Sequence, residues 1–296
     1  MIPKTSAYLA ILLGAALWGL IALFYKHLEA YGFSALQIVA IRVVFSAILL
    51  SLIILKISPT LLSVKLQDMW MFIGTGIISL LLFNIFYFNA ISMSSISMAV
   101  LLLYTAPAFV MLLSLFFFKE KLTKRKLLAL LVTLIGCICI TGAISGDWQL
   151  TPLAFIYGIA SGLGYALYSI FGKFALKKYN SFTISVYTFY LTSVGALPFC
   201  EPKQIVTVFY QNQNALWYGL GIAVFSTILP YLLYTYGLRY VEAGRASILA
   251  TTEPVVGCLV GIFLFNETLN IEKLLGMCLI LSAIVILNHK NTTAKS

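Results

Sequence analysis

A run of apolar residues about as long as a bilayer is thick, interrupted by one proline and closed by a glutamate, occurs twice in this chain. The first copy, MAVLLLYTAPAFVMLLSLFFFKE, runs from Met98 to Glu120, and the second, RASILATTEPVVGCLVGIFLFNE, from Arg245 to Glu267. About 20 helical residues at about 1.5 Å each cross the hydrocarbon core, so each copy reads as one spanning helix. The copies align without a gap. An offset of 147 residues (254 − 107) carries Pro107 onto Pro254, Glu120 onto Glu267 and Lys126 onto Lys273. Carried backwards, it sets Tyr87 on Tyr234 and Lys26 on Lys173. A spacing held from Lys26 to Lys126 marks an internal duplication of roughly half the chain.

Composition puts that duplication in lipid. Of 296 residues, 61% are apolar and 9% charged, against about half and a quarter in a soluble globule. Ten apolar segments can be drawn, at 7–26, 35–55, 69–91, 95–118, 127–144, 152–175, 182–199, 215–238, 246–265 and 271–288. They are continuously apolar rather than alternating, which indicates helices and not the strands of a barrel. The connections are short, leaving no room for a soluble domain; the longest, 201–214, reads as an interfacial segment. The first run is longer than a signal-peptide core and lacks a clear cleavage site, so a retained first helix is expected.

The net charge of +10 would suggest nucleic acid if it were clustered on a soluble face, but its placement follows membrane topology. With the N-terminus inside, 15 of the 19 Lys and Arg fall on the inner side; Lys26, Lys203 and Lys273 fall outside, and Arg42 lies within a helix. That asymmetry satisfies the positive-inside rule and predicts both termini in the cytoplasm of a cell (inner) membrane, with no nucleic-acid partner. The sequon at Asn291 then faces the cytoplasm and carries no weight. Five cysteines lie mostly within apolar runs, as small core residues.

The expected fold is therefore an all-α integral membrane protein of ten transmembrane helices in two five-helix repeats, residues 1–145 and 146–296. Five is odd, so the second repeat enters the membrane from the opposite side, and a two-fold axis in the membrane plane relates the halves. Inverted repeats of this kind build many secondary transporters, with the site near the midplane between halves. No GK[ST] phosphate loop, HExxH or GxSxG is present, and the two histidines, His27 and His289, sit at helix ends. An ATP-driven pump, a hydrolase and an intramembrane metal pair are poorly supported. No cofactor is expected.

Polar groups at depth are the candidate site. Arg42 costs about 2.5–3.5 kcal/mol at mid-helix on an insertion scale, so it faces the bundle, snorkels, or meets substrate. Glu253, beside the helix-breaking Pro254, either binds a cationic or amino group, carries a proton, or closes the gap left by the proline. Its counterpart is Ala106, so one repeat alone carries the acid. Asn84 and Tyr87 share a helix face, and the offset sets them on Tyr231 and Tyr234. Trp18 maps onto Tyr165; Tyr168 follows one turn on, and Tyr104 precedes Pro107. Were the duplicated helices to meet across the axis, these residues would wall a cavity for a small solute with apolar and polar parts. Tyr8, Trp70, Trp148 and Trp217 read instead as interface markers. Gly158-xxx-Gly162 and Gly257-xxx-Gly261 point to close packing within the bundle rather than dimerisation. Glu120 and Glu267 end their helices on opposite faces, as gates paired with Lys121, Lys126 or Lys273 or as interfacial caps.

The two segments TAPAFVMLLSLFFFKEKLTKRK and TTEPVVGCLVGIFLFNETLNIEK resemble the drug/metabolite transporter superfamily, specifically its EamA-like members. The resemblance covers about residues 8–142 and 152–288. It implies ten helices with cytoplasmic termini and transport of metabolites, often export of amino acids or related compounds. Asn266 stands where such motifs often carry Gly. The short four-helix members that work as dimers are not matched, which favours a monomeric unit. The expectation is a secondary carrier of a small metabolite, with protons as a candidate coupling ion. A passive channel and a non-transporting membrane scaffold are the alternatives.

Overall fold

The few polar residues between the apolar runs serve to start helices. Ser34 accepts the Gln37 amide while the Gln37 side chain accepts the Ser34 amide, a complete capping box. Ser95, Thr123, Thr151 and Asn180 each accept an amide three residues on. A cap of this kind is worth about 1 kcal/mol and fixes where each helix begins. In the computed structural model, which describes residues 4–143 and 150–288, the chain between these caps is helical, with no strand among the described residues.

Nine helices among the described residues are long and apolar enough to cross a membrane: α1 (Thr5–Ala30), α2 (Ala35–Ile57), α3 (Leu66–Met93), α4 (Ile96–Phe118), α6 (Pro152–Ala175), α7 (Ser181–Phe199), α8 (Gln213–Tyr240), α9 (Ala243–Phe265) and α10 (Ile271–Asn288). Helix α5 (Lys124–Thr141) matches them in length and differs in the basic triplet of its first turn. These are the ten segments expected, and the 201–214 link contains a short helix, Pro202–Gln211, with no buried residue. The expected repeat boundary at 145 and 146, the end of the fifth segment at 144, and Trp148 lie outside the described residues.

The strongest helix contacts all cross between repeats: α1 with α8 and α3 with α6, α2 with α7, α5 with α10, and α1 with α9 beside α6 with α4. Each contact in one repeat has its partner with the repeats exchanged, as a two-fold relation requires. Apolar side chains gain little by leaving lipid for one another, so close approach and interhelical hydrogen bonds must hold such a bundle. Gly136 and Gly276 face each other across α5 and α10, where a Cβ on Gly276 would fall 2.6 Å from the Gly136 carbonyl. The Thr75 and Thr188 hydroxyls lie 2.7 Å apart, and Thr192 donates to the Gly76 carbonyl at 2.9 Å. Ser46 reaches the Ala223 carbonyl at 3.1 Å. Gly158 and Gly162 are used inside the bundle, packed on Leu102 and Thr105 of α4.

Helices α3, α4, α8 and α9 are interrupted at duplicated positions. Helix α4 breaks between Leu103 and Ala106, and α9 at Thr251, each just before its proline. Wider π turns occupy Gly74–Leu81 of α3 and Val224–Ile228 of α8. Helix α1 has a further break between Gly19 and Ile21. There a Cβ on Gly19 would lie 2.8 Å from the Glu253 carbonyl oxygen, so α1 is held tight against the break in α9.

Gly162→Leu is expected to destabilise the protein by about 2 kcal/mol through overpacking, because a Cβ there already sits 2.6 Å from the Thr105 hydroxyl and 2.9 Å from the Leu102 carbonyl. Thermal unfolding in detergent measures it.

Candidate functional site

At the level of the helix breaks the two repeats enclose a pair of adjoining hollows. One is lined by Trp18 of α1, Ser79 and Phe83 of α3, Tyr165, Tyr168 and Ser169 of α6, and Tyr231 and Tyr234 of α8. These four helices are two duplicated pairs, so this hollow lies where the repeats meet. The second shares Tyr165 and Ser169 and extends between the interrupted helices α4 and α9, along Tyr104, Pro107, Ser247 and Thr251. Leu103 and Ala250 also line it. Their carbonyls stand four residues before Pro107 and Pro254 and so lack the helical donor that proline removes. The breaks are thereby buried within protein, the arrangement in which broken helices are tolerated in a membrane.

The rings fit edge to face. Trp18 packs on Tyr231 and Tyr234 with centroids 5.2 and 5.3 Å away, and Tyr168 on Tyr231 at 4.9 Å. Their hydroxyls are pinned from behind: Tyr168 to Thr235 and Tyr234 to Ser169, each at 2.7 Å. Tyr165 donates to the Glu253 carboxylate at 3.0 Å. Arg42 is only 7% exposed, its Nε has no hydrogen-bond partner, and its charge acts on Tyr231, Glu253 and Tyr165. Among the described residues it forms no ion pair with Glu253 closer than 4.0 Å. A half-buried acid and a buried base thus share one region without a direct ion pair.

The structure brings Trp18, Tyr104, Tyr165, Tyr168, Tyr231 and Tyr234 to the walls of these hollows. Glu253 joins through Tyr165, and Arg42 stands close to Tyr231 and Glu253. Tyr87 is half-buried and stacks near Phe83 rather than lining either hollow. Asn84 is buried, and its amide donates to the Leu80 carbonyl of its own helix at 2.6 Å. It too is absent from both linings. Phe83, Ser169, Ser247 and Thr251 line the hollows without a sequence reading having singled them out. Ser169 had a signal, since it lies one turn beyond Tyr165 on the same face. Trp70 and Trp217 are exposed as interface markers should be.

One end of the bundle is sealed. Glu120 receives Lys173 at 3.1 Å, lies 3.8 Å from Lys126, and accepts the backbone amides of Ala243 and Gly244 at 2.7 and 3.1 Å. Lys126 continues to Glu242 at 3.1 Å, Glu242 to Arg245 at 2.8 Å, and Arg245 to the Tyr8 hydroxyl at 3.4 Å. Burial pushes the Glu120 carboxyl up, but the Lys173 ammonium and the two amides outweigh it and hold the group below its ordinary value. On that face Asp68 also binds Lys178 and Tyr179 across the repeats.

A polytopic helical bundle of inverted repeats, tied across one face by ion pairs and holding a ring-lined hollow at its breaks, defines a membrane transport protein in architecture. The model of the EamA-like transporter family matches twice, over residues 5–142 and 152–289, and the chain belongs to that family. A protein of Archaeoglobus fulgidus named as an uncharacterized transporter is 37% identical over 205 residues, 68% of this chain and 70% of that one. A second from the same organism, with the same name, is 28% identical over 96% of this chain and 99% of its own. A crystal structure superposes with a TM-score of 0.80 over 96% of both chains at 15% identity, which shows a shared fold. The expected superfamily, the ten-helix fold and a role in membrane transport stand on these findings.

Because the folded Glu120 value lies below the unfolded one, its stabilisation is complete above the ordinary glutamate value of about 4.3 and is lost as the pH falls below it. Glu120→Gln, which takes the carboxylate from Lys173 and leaves buried Lys126 with Glu242 alone, is expected to cost about 3 kcal/mol at neutral pH and to flatten this acid limb. Unfolding scans between neutral pH and pH 3 measure both.

Proposed function

We propose that this protein is a secondary carrier of a small metabolite, an amino-acid-like compound being the class the site suits best, and that it acts as an exporter by alternating access. The observation that carries the reading is the hollow walled by Trp18 and four tyrosines, with Glu253 reached through Tyr165 and Arg42 acting on Tyr231 and Glu253, opposite in charge and without an ion pair between them. A solute with an acidic group, an amino group and an apolar part would satisfy Arg42, Glu253 and the rings at once. The seal at the Glu120 end speaks against a permanently open channel. The buried wall, tied by hydroxyl pairs, is more than a scaffold requires. Glu253 is the candidate to couple a proton to the solute, a reading supported by its carboxylate lying near Arg42 without an ion pair and by its described hydrogen-bond partner being one tyrosine. The basic excess supports an inner-membrane location with cytoplasmic termini and sets the Glu120 end inside. The use of Gly158 and Gly162 within the bundle supports a monomeric unit, and the division near residue 145 fits the two family matches.

Counterflow in proteoliposomes tests the carrier: labelled solute should accumulate transiently against an excess of unlabelled solute inside, which a pore does not allow. Trp18→Ala and Tyr234→Ala should each lower that exchange at least about tenfold, as loss of a buried aromatic anchor does; wild-type rates in both would favour the scaffold. Glu253→Gln should remove the effect of an imposed pH gradient on net flux while sparing exchange. An unchanged pH dependence in that variant would take Glu253 out of the coupling role.

A further inference from the structure

The 147-residue offset pairs not only the central rings but the two ends of the bundle. Glu120, Lys126 and Lys173 at one end correspond to Glu267, Lys273 and Lys26 at the other, with the repeats exchanged. Both clusters are formed: Glu267 lies 3.7 Å from Lys26 and 3.1 Å from Lys273. The helices that deliver the two glutamates end alike. Lys119 and Asn266 both turn left-handed with φ 54°, and the next amide returns to the Ser114 carbonyl in one and the Gly261 carbonyl in the other. Left-handed Lys119 lacks the freedom of a glycine, so this ending is held by its contacts.

The surroundings differ. The Glu120 side chain is 7% exposed and that of Glu267 44%. Glu120 bonds the first two amides of α9, those of Ala243 and Gly244. The corresponding amides belong to Ile96 and Ser97, which open α4. Among the described residues Glu267 makes no bond to them, and Ile96 is 66% exposed. Lys173 also donates to the Val241 carbonyl at 2.9 Å; the matching acceptor for Lys26, the Ser94 carbonyl, is not used by it, and Lys26 lies closer over the Phe265 ring, 3.9 Å from its centre, than Lys173 does over the equivalent Phe118, at 5.8 Å. The Glu267 carboxylate folds back on its own helix, so that a Cβ on Gly261 would fall 2.7 Å from it.

We infer that these clusters are reciprocal latches: each glutamate, at the end of one broken helix, caps the start of the other broken helix, and one latch is shut at a time. This structure has the Glu120 latch shut on α9 and the Glu267 latch open. In the alternate state Glu267 accepts the Ile96 and Ser97 amides and Lys26 moves to the Ser94 carbonyl, while Glu120 releases Ala243 and Gly244. A carboxylate on a helix start is favoured by the orphan amides and by the helix dipole, so each shut latch is a stable stop. Two similar packings of nearly equal energy then give inward- and outward-open states. The inference rests on the carrier reading and assigns its moving contacts.

Proline at the first position of a helix removes an amide and leaves the helix intact, and the residues before both sites already have the extended backbone that proline asks for, ψ 160° at Ser95 and 139° at Glu242. Ala243→Pro therefore deletes one donor of the shut latch. Ile96→Pro deletes the matching donor of the open one, at an exposed site that this state does not use. Spin labels on cysteines at Met93 and Leu269, in a background free of the native cysteines, report the Glu267 end by pulsed dipolar spectroscopy. Ala243→Pro should raise the fraction of short distances about tenfold, and adding Ile96→Pro should reverse the rise. Ile96→Pro alone should unfold at the wild-type temperature yet lower counterflow about tenfold. Should Ala243→Pro fail to fold, the Ile96→Pro flux decides alone. Distances unchanged by Ala243→Pro, short distances that survive Ile96→Pro, or wild-type counterflow in Ile96→Pro would each overturn the latches. Absence of counterflow in the wild type would instead overturn the carrier reading.

Discussion

Helices in this protein are held by the opposite repeat more than by their own. The constraint comes from lipid, where apolar side chains have no water to escape, so cohesion must come from close backbone approach and shared hydrogen bonds. Gly136 against Gly276, Gly158 and Gly162 against α4, and Gly19 against the break in α9 supply the approach. Thr75 with Thr188 and Ser46 with the Ala223 carbonyl supply the bonds. Because these contacts run between repeats, neither half packs as a separate block, and the polar hollow forms where they interleave.

The same interleaving explains why polar groups are tolerated at depth. Proline removes an amide from α4 and from α9, and the residues that lose this donor, Leu103 and Ala250, lie inside the bundle rather than against acyl chains. Tyr168, Tyr234 and Tyr165 each have a hydroxyl partner, and these bonds fix the rings that wall the hollow. Four buried polar atoms lack a partner among the described residues, the hydroxyls of Thr133, Ser185 and Ser226 and the Nε of Arg42. Arg42 alone of these carries a charge, and an unsatisfied buried donor is costly.

Much of this was legible in the sequence because the duplication is nearly free of gaps. The offset located both breaks, the matching tyrosines and the paired glutamates. Helix rotation was harder to read, since α3 and α8 are apolar on every side and periodicity does not say which face turns inward. Asn84 shows the consequence: an amide at depth suggested a solute contact, but it is used by the Leu80 carbonyl one turn back. The π turns in α3 and α8 carry no composition signal and shift the register of the residues beyond them. The Lys126, Glu242, Arg245 and Tyr8 chain escaped notice because its members come from three distant stretches that only the fold assembles.

The central claim is that the ring-lined space between the repeats opens to one side of the membrane at a time. Ala250 lines that space beside the break in α9, and a single cysteine there, with the native cysteines replaced, can be probed with a small membrane-impermeant thiol reagent from either face of oriented vesicles. The account predicts labelling from one face in a given state, a change of face when the state is switched, and protection by transported solute. Simultaneous labelling from both faces, or from neither in any state, would contradict it.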